Sequence, residues 1–142
     1  MNIKQALKYK NKLVKKIGDA FQKVYTYNTV TDGQNRPYDV NDALMEYFKL
    51  SSELVSLKEK IHLANQPIYG KIFLMSELKS QAQKLAALSC EEGKSKNRYS
   101  DETEYKTSVI NIISRDNMIK NIEDQIEMLQ DELDAHNATT QI

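Results

Sequence analysis

From Val40 to Asn65 apolar residues recur at steps of three and four for nearly four unbroken heptads. Val40, Tyr47, Leu54 and Ile61 fall at position a, and Ala43, Leu50, Leu57 and Ala64 at position d. No other arrangement of these residues puts eight apolar side chains on one side, so the stretch predicts an amphipathic helix over 39–65. Its 26 residues at about 1.5 Å each span about 39 Å, against a gyration radius of about 14 to 15 Å for a compact domain of this length. Eight buried side chains contribute about 1.5 to 3 kcal/mol each, but ordering each backbone residue costs about 1 to 2 kcal/mol. The helix therefore requires neighbours, and an elongated bundle is the fold that supplies them.

A second helix is predicted over 2–26. With Ile3 at a, its a positions are Ile3, Lys10, Ile17 and Val24, its d positions Ala6, Leu13, Ala20 and Tyr27, and its e positions Leu7, Val14 and Phe21. An a/d/e stripe is wider than a two-helix seam and suits a helix with more than one neighbour. Gly18 sits at b, facing water, where it costs about 1 kcal/mol of helix propensity. The loop 27–38, with Asp32-Gly33 and Pro37, ends at Asp39, an N-cap with Asp42 in the first turn. Tyr25, Tyr27, Tyr38, Tyr47 and Phe48 cluster where the first helix ends and the second begins, which reads as an aromatic plug between antiparallel partners.

Asn65-Gln66-Pro67 closes the second helix and Gly70 allows a bend. A third helix is expected over 74–89, through Met75, Leu78, Ala82 and Leu85, then a polar loop over 90–103. The β-branched run from Tyr105 to Ile113 favours a strand over 104–112. Its candidate partners are the stretches near Thr29 and Ile72 or the same segment of a second molecule, and an unpaired apolar edge favours the last. A final helix over 114–137, capped by Ser114, carries Ile119, Ile122, Ile126, Leu129, Leu133 and His136 at three and four residue steps. The expected fold is thus mainly α, an elongated helical bundle of coiled-coil-like long helices plus one short β-strand or hairpin element, in a single domain over 1–142.

Charge is separated along the chain. Residues 1–28 carry seven lysines against Asp19, and residues 99–142 carry ten acids against three bases, giving a formal net charge of zero. The register turns most of these outward, leaving Lys16, Lys23, Glu123 and Glu132 as candidates for close interhelical pairs.

Chemical signatures are weak. Gly93-Lys94-Ser95 ends like a phosphate-binding loop, but Leu88 stands where its first glycine is needed. Glu59 and His62 have di-iron spacing, yet fall at f and b, outside the core, with no second copy of the motif. Cys90 has no histidine nearby to act as base and excludes an intrachain disulfide. No catalytic residue, metal ligand or cofactor is expected. The absence of a leader sequence and of any run of about 18 apolar residues points to a cytoplasmic protein without a membrane span.

Two function classes remain. One is a self-associating scaffold, or a module for an unidentified protein partner, with Leu54, Leu57, Ile61, Ile119, Ile122, Ile126, Leu129 and Leu133 as helix or oligomer interface. The other is an anion-binding module using Lys4, Lys8, Lys12, Lys15, Lys94, Lys96 and Arg98; nucleic acid is disfavoured because net positive charge and a helix-turn-helix pattern are both missing.

Ala6-Leu7 in the lysine-rich first helix, Asn28 through Gly33 leading to Pro37, Ile61-His62-Leu63-Ala64-Asn65, Asn97-Arg98-Tyr99-Ser100 and the ending Leu133 to Thr140 resemble the septicolysin-like family of small bacterial helical proteins. The resemblance spans almost the full length and implies a helical fold. It brings no catalytic residues, and the chain has no membrane-active amphipathic stretch to support the cytolysin that the family's name suggests.

Overall fold

The computed structural model describes residues 1–96, 99 and 102–142. Its described elements are α1 (Ile3–Tyr27), α2 (Val40–Asn65), a 3-10 turn (Gln66–Ile68), α3 (Tyr69–Ala86), β1 (Gly93–Lys96), β2 (Thr103–Lys106) and α4 (Ile112–Thr139). The protein is mainly α with a short two-stranded antiparallel hairpin. The chain divides into two compact units, one of residues 1–67 and 135–142, the other of residues 68–134.

In the first unit α1 and α2 form an antiparallel helical hairpin. Ala6 and Leu13 of α1 pack with Leu57 and Ile61 of α2, flanked by Leu7, Tyr9, Leu50, Leu54 and Ile142. Each helix is punctuated by side chains that satisfy its end groups. Asn2 and Gln5 make a reciprocal capping box on α1, Asp39 Oδ1 accepts from Asp42 N at 3.1 Å at the start of α2, and Arg36 donates to the Tyr27 and Asn28 carbonyls at 2.8 and 3.2 Å. Arg36 thereby brings a cation to the negative end of α1, whose own last turn has none.

The end of the chain completes this unit. Ile3 N donates to Thr140 O at 3.1 Å and Ile142 N to Met1 O at 3.0 Å, and Asn2 forms an antiparallel bridge with Gln141. His136, in the last turn of α4, lies 3.1 Å through Nε2 from the Ala64 carbonyl and 3.1 Å through Nδ1 from Thr140 Oγ1. With the ring neutral, Nε2–H donates to the carbonyl and Nδ1 accepts from the hydroxyl. Ile3, whose amide donates to Thr140, is fully buried.

The second unit contains α3, the β-hairpin and α4 up to Asp134. Lys71 and Glu132 pair at 2.8 Å, and Leu85 shares a groove with Met118 and Ile122, so α3 and the facing part of α4 run antiparallel. Ile68, Leu78 and Leu133 are its buried apolar residues. Arg115 Nη1 donates to Leu88 O at 3.0 Å and closes the end of α3.

Four expectations are corrected here. No break falls at Gly70, which is the second residue of α3; the interruption after α2 is the 3-10 turn Gln66–Ile68. The strand is β2, Thr103–Lys106, and its partner is β1 of the same chain, with Gly93 opposite Lys106 and Lys96 opposite Thr103. The following residues 107–111 are not strand; their β-branched side chains find no second ladder. Asn111 rather than Ser114 caps α4, its Oδ1 accepting from Ser114 N at 2.8 Å, since the N-cap residue bonds the amide three residues on.

Candidate interaction surface

The two heptad registers assign each flank of the α1–α2 hairpin a different chemistry. Positions g and c face one way. There Tyr9 of α1 donates its hydroxyl to Glu53 of α2, and the Lys23 ammonium lies 4.5 Å from the centre of the Tyr38 ring. The hydrogen bond to Glu53 raises the Tyr9 pKa, with desolvation and the carboxylate's charge adding to it in that order. Asp19, Glu46, Lys49 and Lys60, all exposed, continue this charged flank.

Positions e and b face the other way. Between Leu7 and Tyr25 on α1 they hold Leu7, Asn11, Val14, Gly18, Phe21 and Tyr25, and between Leu44 and Val55 on α2 they hold Leu44, Phe48, Ser51 and Val55. None of these is charged; Lys4 and Lys58, at b and e, bound the stretch at one end. The Tyr47 ring ties the two helices together on this flank, its centroid 5.1 Å from that of Phe21 and 5.5 Å from that of Phe48. Tyr27 and Tyr38 form a separate pair at 5.7 Å. The single aromatic plug is therefore two clusters, and Tyr25 belongs to neither: it is 77% exposed.

The proposed interface residues fall in two groups. Leu57 and Ile61 are buried against α1 and Leu54 packs on the same cluster, so these three hold the hairpin itself together. Leu133 is buried, while Ile119, Ile122, Ile126 and Leu129 are half-buried in the second unit. The close charge pairs differ from those expected: Glu132 takes Lys71, and Lys23 takes an aromatic ring.

Lys4, Lys8, Lys12 and Lys15 are all exposed on α1. Lys94 lies 5.5 Å from the Tyr105 ring on the β-hairpin. Lys96 is at the end of β1, and Arg98 lies outside the described residues. Glu59 and His62 are both exposed, and among the described residues no cluster of three or more histidine, cysteine or acidic side chains could hold a metal ion. Cys90 is half-buried, with Sγ 3.8 Å from Leu88 O. Among the described residues no helix is long and apolar enough to cross a membrane.

No family model matches this chain, and no curated protein or solved structure matches it either.

Sequence reasoning found the α1 half of the apolar flank, as the e positions Leu7, Val14 and Phe21. It missed the α2 half. Phe48 and Val55 occupy b, which a seam-centred reading assigns to solvent, and their seven-residue spacing was the available signal.

Proposed function

We propose that this protein is a non-enzymatic, self-associating helical scaffold or interaction protein. The observation that carries the reading is unburied apolar surface. Among the described residues twenty large apolar side chains are exposed against ten buried apolar residues. The chain exposes 10869 Å², whereas even two separate compact bodies of half its mass would together expose about 9,000 Å². Such surface marks interaction sites on soluble proteins. The reading carries a cytoplasmic setting, supported by the single, half-buried cysteine. Multi-angle light scattering over a wide concentration range tests self-association: a mass above 16.4 kDa that rises with concentration is expected, and a monomer throughout would overturn it.

A second reading, an anion-binding module, is favoured by Lys4, Lys8, Lys12 and Lys15, which are exposed and make no ion pair within the chain among the described residues. It predicts salt-dependent retention on heparin that weakens when the four become glutamine. Unchanged retention would dismiss it.

A further inference from the structure

We infer that the uncharged flank of the α1–α2 hairpin is a two-fold interface with a second copy of this chain, so that two hairpins close into a four-helix arrangement. The inference deepens the self-association reading and rests on it.

Three observations point to a second copy. The first is area. Val14, Phe21, Tyr25, Phe48 and Val55 are 51%, 44%, 77%, 56% and 66% exposed, and at these exposures three rings and two valines present on the order of 500 Å² of apolar surface. A standard interface buries about 800 Å² per partner, somewhat over half of it apolar. The flank alone matches that apolar share.

The second is charge. Across Leu7 to Tyr25 and Leu44 to Val55, the e and b positions contain no acid and no base. Two identical copies of such a surface meet with no like-charge repulsion, and a two-fold pairing of one patch with itself is the commonest closed assembly. The opposite flank, with its lysines and carboxylates, lacks this property.

The third is Gly18. It lies in the middle of α1, between Val14 and Phe21 on this flank, and a Cβ built there meets nothing within 4 Å. Packing within the chain does not require glycine at this position, although glycine in a helix interior costs about 1 kcal/mol relative to alanine. A notch in an apolar stripe, flanked by Phe21 and Tyr25, instead lets the α1 of a facing copy approach closely. With α1 facing α1 and the two-fold axis crossing it near Gly18, the centre of its apolar stripe, the two Gly18 positions come together.

The test combines light scattering with crosslinking of the full chain. Phe21→Glu and Phe48→Glu should each raise the dimer dissociation constant by about 30-fold or more, the effect of a central aromatic anchor. Val109→Glu, at a fully exposed apolar residue of the second unit, should leave it unchanged. In a Cys90→Ser background, Gly18→Cys should form a covalent dimer on mild oxidation and Asp19→Cys should not; the open space at Gly18 keeps this variant folded even if the glutamate variants are not. If the wild-type protein is a monomer, the self-association reading falls and this inference with it. If it is a dimer that Phe21→Glu and Phe48→Glu leave intact, or if Gly18→Cys crosslinks no better than Asp19→Cys, the inference falls and self-association stands on another surface.

Discussion

Asn2 donates through Nδ2 to the carbonyl of Ala138 at 3.0 Å, across 136 residues of sequence. The same side chain accepts from Gln5 N at 2.8 Å through Oδ1, so one residue caps α1 and ties it to the end of α4. Asn2→Ala removes both and should cost about 1 to 2 kcal/mol in urea denaturation. Asn2→Asp keeps the cap but loses the tie, and should cost less than Asn2→Ala. Equal losses would show that the cap contributes nothing, and no loss in Asn2→Asp would show the same of the tie.

Leu13 and Val14 are chain neighbours with opposite fates, 1% and 51% exposed. Leu13→Ala opens a cavity against Leu57 and should destabilise the monomer by about 2 to 5 kcal/mol. Val14→Ala should change stability by no more than about 0.5 kcal/mol at concentrations where the chain is monomeric. Denaturation of both at low concentration separates them.

Tyr9 should titrate above the ordinary tyrosine value, because its hydroxyl donates to Glu53 and ionisation would set two negative charges side by side. A folded pKa raised above the unfolded one means that this contribution is present below the unfolded value and is lost as pH rises through the folded one. Stability should therefore decline in that alkaline window. Glu53→Gln should lower the Tyr9 pKa, measured by NMR titration of labelled tyrosine, and Tyr9→Phe should flatten the decline.

Lys71 and Glu132 are each about half exposed, so water screens the pair and entropy opposes it. Glu132→Gln should alter stability by less than about 1 kcal/mol, with the difference shrinking further in high salt. A larger loss in thermal denaturation would mean that the pair positions α3 against α4.

The parts of the fold that could be read from the sequence are those in which burial and local chemistry agree. In α2 the a and d residues face a partner, Asp39 supplies a cap and Pro67 closes the exit, so period and punctuation point to one element. The β-hairpin offered no such agreement. β1 is Gly-Lys-Ser-Lys, without apolar alternation, and every residue of β2 is exposed. No apolar alternation in β1 and no buried face in β2 writes a period of two into the hairpin, and the aliphatic run that did resemble a strand lies just beyond the ladder. The helix pairing of the first unit was readable at its seam, but its exposed flank is recognisable only once Phe21, Tyr47 and Phe48 are seen in contact.

The clasp at Asn2, Ile3 and Thr140 also sets an order of events during synthesis. Thr140, whose carbonyl accepts from Ile3 N, is synthesised well after both helices of the hairpin. Until Thr140 has emerged, α1 and α2 lack this clasp. At about 5 to 20 residues per second, the 73 residues from Ile68 to Thr140 impose a delay of several seconds in which the hairpin stands without its clasp.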